Sequence, residues 1–101
     1  MTVIIAAKLT GDTAAFTKSL QDRADEYRKI GERSRERGAL HHRFGIGDGF
    51  ILINDEWESA EAFQKFFADP ELQAFIGSVG ADTNAAPEII IVESIDSPEK
   101  F

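Results

Sequence analysis

Four side chains in the middle of this 101-residue chain carry groups suited to chemistry: His41, Arg43, Asn54 and Trp57. Histidine exchanges protons near neutral pH, arginine grips anions with a fixed fork of donors, and an amide or indole N–H donates to a substrate oxygen. His41 and Arg43 stand two apart in the alternating segment Leu40 to Ile46 (LHHRFGI), so they share one side of an extended strand. If that side lines a cavity, they form an anion-binding, proton-handling couple. If it lies at a sheet edge, both are solvated. His42 shares the other side with Leu40 and Phe44, where the simplest reading is an imidazole flanking the core, held by a backbone carbonyl. Asn54 falls on the parity of Phe50 and Leu52, so its amide either bonds the nearby turn or faces a cavity and orients a substrate oxygen. Trp57 is either a packing anchor or a border of a ligand pocket.

The same residues limit other chemistries. Neighbouring strand residues point to opposite faces, so His41 and His42 cannot readily share a metal ion, and there is no cysteine to complete a site. No metal and no cofactor are expected. Gly45-Ile46-Gly47-Asp48-Gly49 joins strand to strand and lacks the helix N-terminus of a phosphate loop. It reads as a hairpin. No Ser-His-Asp order is evident.

Positioning these groups takes six elements. Val3 to Leu9 is apolar on both parities, a buried strand. Asp12 or Thr13 caps a helix running toward Arg37, with Phe16, Leu20, Ala24, Tyr27 and Ile30 on its apolar face and Gly38 as its stop. Leu40 to Ile46 and Phe50 to Asp55 form a hairpin about Gly47-Asp48-Gly49. Ser59 caps the next helix, and Asp69-Pro70-Glu71 restarts it. Glu88 to Ile95 is the last strand. Phe16, Phe63, Phe67 and Phe75 are core by spacing, although such rings also line apolar pockets between helices and sheet. Residues 1–101 thus read as a single α+β domain, ferredoxin-like in its βαββαβ order, with a four-stranded antiparallel sheet and two helices on one face.

A formal charge of −7 opposes nucleic-acid binding. Seven of the eleven cations fall between Arg23 and Arg43, where interleaved acids favour a solvated helix face over an anion site. The apolar run at the N-terminus is too short for a signal peptide or a membrane span, so no membrane association is expected and the cytoplasm is the default location. The greasy strands point to a partner. Val3-Ile4-Ile5, Phe50-Ile51-Leu52-Ile53 and Ile89-Ile90-Ile91-Val92 present large apolar groups to both sides of the sheet. Each one left wet forfeits roughly 1.5–3 kcal/mol. A second copy packed sheet against sheet would cover them, giving a homodimer.

The strand-helix order, the turn Asp55-Glu56-Trp57-Glu58-Ser59 with Ala62 and Phe63 following, and the restart Asp69-Pro70-Glu71-Leu72 together resemble the dimeric α/β-barrel superfamily, and within it the antibiotic-biosynthesis-monooxygenase-like group. The resemblance covers nearly the whole chain. It implies a small-molecule ligand in the barrel and oxidation of an electron-rich aromatic or polyketide-like substrate without metal or flavin, through a substrate anion that reacts with oxygen. It implies that Asn54, Trp57, His41 and Arg43 supply the catalytic donors. Two alternatives stand beside it: a non-catalytic barrel that binds a small metabolite, and an isomerase or lyase using His41 for acid-base work. The chain departs from the group in spacing Asn54 and Trp57 three apart rather than four, and in having no assignable pocket tyrosine. It departs from the haem-degrading members in having no histidine in its second half.

Overall fold

In the computed structural model, which describes all of residues 1–101, β1 (Val3–Thr10) is the template on which the sheet is built. It pairs antiparallel with β3 (Phe50–Trp57) on one side and β4 (Glu88–Glu93) on the other. β2 (Ala39–Gly47) pairs with β3, giving the order β2-β3-β1-β4 expected of a ferredoxin-like sheet. Gly49, at φ 78°, supplies the left-handed residue that the β2–β3 turn needs.

The helices share one face; the first expected helix is divided in two, and the second restarts at Asp69-Pro70 as read from the sequence. The first crossover is α1 (Thr13–Asp22) and α2 (Ala24–Glu36), hinged at Arg23 with φ −124° and ψ 33°. Asp12 caps α1 by accepting from the Ala15 amide at 3.0 Å. The Arg23 N–H still reaches the Ser19 carbonyl and its own carbonyl starts α2, so the kink leaves few orphan groups. Gly38, at φ 117°, ends α2 as read from the sequence. The second crossover is α3 (Ala60–Phe67), capped by Ser59, and α4 (Pro70–Ser78), capped by Asp69 with Pro70 in its first turn.

Alternation decides what each face holds. In β1, Val3, Ile5, Ala7 and Leu9 are buried beneath the helices, and in β3 so are Ile51, Ile53, Asp55 and Trp57. Phe63, Phe66 and Leu72 close one end of this core over Trp57, and Phe16 and Val79 close the other over Ile51 and Ile53. The first helix buries Phe16 and Ser19, while Leu20 remains 38% exposed. The other face of the sheet has no cover: Ile4, Ile90 and Val92 are 41%, 62% and 49% exposed. No helix is long and apolar enough to cross a membrane.

Candidate functional site

The β2–β3 hairpin determines which polar groups meet. Its tight turn opposes Gly47 to Phe50, and the ladder then opposes His42 to Asp55, Arg43 to Asn54 and His41 to Glu56. His42 and Asp55 are on the helix-covered face. His41, Arg43, Asn54 and Glu56 are on the open one. A bulge at Leu40 lets Ala39 remain opposite Trp57.

On the covered face, His42 Nδ1 lies 2.6 Å from Asp55 Oδ1, and the Trp57 indole Nε1–H donates to Asp55 Oδ2 at 3.0 Å. The Asp55 side chain is only 6% exposed, a placement that is costly for a carboxylate without hydrogen-bond donors. Both of its oxygens have one. Because an indole only donates, Oδ2 must accept; a carboxylate then accepts on Oδ1 as well, which assigns a proton to His42 Nδ1, and in the neutral imidazole Nε2 is the acceptor. Trp57 is held by Phe63 and Phe66, with centroids at 5.7 and 5.4 Å, so the indole that fixes the carboxylate is itself fixed. The edge of the imidazole meets the Phe44 ring at 4.6 Å.

These three side chains border a cavity of about 330 Å³ between the sheet and the helices. The rest of its wall is mainly apolar, from Leu20, Tyr27, Ile30, Phe44, Ile53, Phe63, Phe66, Phe67, Leu72 and Ile76, with Ser34 and Arg43 also reaching it. The volume is at the small end for ligand sites. Tyr27 hydrogen-bonds Ser19 at 2.7 Å, and burial pushes its phenol above the usual tyrosine value, with the Ser19 bond opposing that rise.

The open face gathers the other polar groups. His41, Arg43, Asn54 and Glu56 surround a shallow depression beside Ile4. His41 Nε2 is 4.0 Å from Glu56 Oε1, and Thr2 donates to Glu56 Oε2 at 2.6 Å. Three of the four residues singled out from the sequence are therefore neighbours, and the fourth, Trp57, lies on the opposite face. The spacing explains it: residues three apart on a strand point opposite ways. The expectation for His42 also needs correction, since a buried carboxylate holds it rather than a backbone carbonyl. Asp55 was missed altogether. Its signal was present, in an acid on the same parity as Ile51, Ile53 and Trp57, opposite a histidine on the parity of Phe44.

The cation-rich helix is solvated and paired. Arg23 donates to both carboxylate oxygens of Glu26 at 2.8 and 2.7 Å and to Ser78 at 2.6 Å, and Arg28 bonds Asp25 at 2.7 Å. The ion pair holds Glu26 below the usual carboxylate range and raises Arg23. No group of histidine, cysteine and acidic side chains is arranged to hold a metal.

No protein-family profile and no curated protein sequence matches the chain. Solved structures do. A monooxygenase from the gene ActVA-Orf6 of Streptomyces coelicolor, solved in complex with the ligand nanaomycin D, superposes with a TM-score of 0.67 at 19% identity, over 98% of this chain and 92% of that one. SnoaB, a cofactor-independent oxygenase from Streptomyces nogalater, gives 0.57 at 13%, over 98% of each chain. An antibiotic biosynthesis monooxygenase gives 0.62 at 13%, over 93% and 99%. The chain has the fold of the antibiotic biosynthesis monooxygenase structures. At these identities the likeness concerns the backbone. The His42–Asp55–Trp57 arrangement rests on this chain's own geometry.

Proposed function

We propose that the protein is a cofactor-independent oxygenase acting on a small phenolic aromatic bound in the covered cavity, with His42 as the base. The observation that carries this reading is the pairing of an aromatic-walled cavity with one oriented proton acceptor. His42 Nε2 takes the phenolic proton, and Asp55, locked by Trp57, stabilises the imidazolium that forms. The apolar wall leaves the substrate anion poorly solvated, which raises its tendency to give electrons to oxygen. In a phenol whose keto tautomer has a CH2 group, a carbon–oxygen bond then forms at that carbon. One oxygen atom remains as a new carbonyl. The other leaves as water with the two hydrogens of the CH2, so no external reductant is consumed.

We further propose that a second copy covers the open face, where Ile4, Ile90 and Val92 otherwise meet solvent beside a half-buried Leu52. A second reading of the chemistry follows from that assembly. His41, Arg43 and Asn54 surround the open-face depression and would face the interior of such a dimer, which favours the acid-base role for His41. Oxygen uptake with a panel of polyphenols separates the two readings. Uptake abolished in His42→Ala and retained in His41→Ala supports the covered cavity. The reverse pattern supports the open face, and a flat response across the panel removes the oxygenase.

A further inference from the structure

We propose that Tyr27 is a specificity-determining residue of the covered cavity: Ser19 turns its oxygen into a hydrogen-bond acceptor, so the cavity selects ligands with a hydroxyl at that end. This rests on the reading of the cavity as a ligand site and adds which ligands enter it.

Ser19 is buried, and its hydroxyl donates to the Phe16 carbonyl one turn back on α1 at 2.6 Å. A serine hydroxyl has one proton. With that proton committed, the 2.7 Å contact between Ser19 Oγ and Tyr27 Oη must use the proton of Tyr27. The phenol therefore donates to Ser19 and keeps only lone pairs for anything else. Its ring cannot swing to another partner freely, because Phe16, Phe44 and Phe75 meet it edge-on with centroids at 6.4, 6.0 and 5.0 Å. Burial also favours the protonated phenol, which maintains the relay.

The same reasoning applies to His42, which also lines the cavity. His42 commits Nδ1 to Asp55, and as a neutral imidazole it offers Nε2 as an acceptor. Phe44 lies between the two, in ring contact with each. An aromatic with a hydroxyl toward each end would satisfy both. A quinone or a methyl ether offers only lone pairs and leaves Tyr27 Oη facing another acceptor. The cavity thus discriminates by polarity between a hydroxylated ring and its oxidised or alkylated counterpart of nearly the same shape.

Binding of a naphthalenediol with one hydroxyl on each ring, and of its dimethyl ether, is measured by calorimetry without oxygen. The unaltered protein should prefer the diol. Tyr27→Phe should weaken the diol about five-fold and leave the ether nearly unchanged. Ser19→Ala frees the Tyr27 proton, so the ether should gain while the diol, whose hydroxyl accepts as well as donates, changes little, narrowing the preference. Both substitutions remove only a hydroxyl. Equal losses for the two ligands in Tyr27→Phe, or an unchanged preference in Ser19→Ala, would overturn the proposal. So would failure of the diol to bind. Oxygen uptake is read separately: binding with the expected preference but no uptake removes the oxygenase alone, and uptake with a preference indifferent to Tyr27 and Ser19 removes this proposal alone.

Discussion

The two faces of the sheet come from the same strands, yet they treat their polar groups differently. On the covered face, His42, Asp55 and Trp57 form a chain in which each group restrains the next, ending in an indole that is 1% exposed. On the open face, His41 is 80% exposed along its side chain and reaches Glu56 only at 4.0 Å. Burial makes the difference. A carboxylate taken from water has to be matched by donors, and the matching produces the orientation that catalysis needs. A carboxylate left near water has no such requirement. The comparison separates two adjacent histidines by environment alone, and it makes them the natural pair for a first test.

The largest expected effect is on turnover. His42→Ala should lower the rate of oxygen uptake by about 10²- to 10⁴-fold, the range for loss of a positioned acid-base group. His41→Ala should remain within about three-fold. Equal losses would show that the open face takes part in the chemistry. Asp55→Asn sharpens the contrast: the amide keeps the shape but loses the charge that supports an imidazolium, so it should resemble His42→Ala in rate.

The next effect is on assembly. In a two-fold pair each substitution counts twice, so Ile90→Asp should weaken association by about 100-fold or more, read by sedimentation across a dilution series. The unfolding midpoint measured at high dilution should hardly move, because Ile90 is 62% exposed in the single chain. Association that survives Ile90→Asp and Ile4→Lys would mean that the open face is not covered by a second copy.

A smaller effect tests the polar chain itself. Trp57→Phe keeps most of the packing against Phe63 and Phe66 but leaves Asp55 Oδ2 without its donor. Denaturant unfolding should show a loss of about 1–3 kcal/mol. Asn54→Ala on the open face should stay within about 0.5 kcal/mol. If the two losses were similar, the buried network would hold no special place in the fold.

Much of this contrast is legible in the sequence. Ser59, Asp69, Pro70 and Gly38 marked the helix ends because capping is local chemistry. The hairpin at Gly47-Asp48-Gly49 was equally local, and with it the register that sets His42 opposite Asp55. What was not legible was which parity of β2 and β3 the helices would cover. Both parities of Phe50-Ile51-Leu52-Ile53 are apolar, so alternation gave no direction there. The resemblance groups Trp57 with Asn54 as donors, although their odd spacing sends them to opposite faces. The hinge at Arg23 had no signal either: Arg23 falls in a continuous amphipathic pattern, and its contact with Ser78 on α4 is tertiary.

The smallest effect, and the cleanest to read, belongs to Tyr27, the only tyrosine in the chain. Its tyrosinate absorbance reports on one group. Burial raises the phenol's pKa in the folded protein, more than the Ser19 hydrogen bond lowers it. The sign follows from proton binding. Below the unfolded value of about 10, both states hold the proton and the contribution of Tyr27 to stability is complete. As pH rises further, the unfolded chain releases the proton first, so stability falls until the folded phenol also ionises. Tyr27→Phe should remove this component of the alkaline loss, seen as a shallower decline of the unfolding midpoint with pH. Once the phenol ionises, the Ser19 hydroxyl can turn from the Phe16 carbonyl and donate to the tyrosinate, so Ser19→Ala removes a donor to the charged form and should shift the tyrosinate transition further upward. An open-face substitution such as Asn54→Ala should leave the transition in place, since that face contributes nothing to the packing around Tyr27. A transition that instead moved with Asn54 and ignored Ser19 would erase the distinction between the two faces at the level of a single proton.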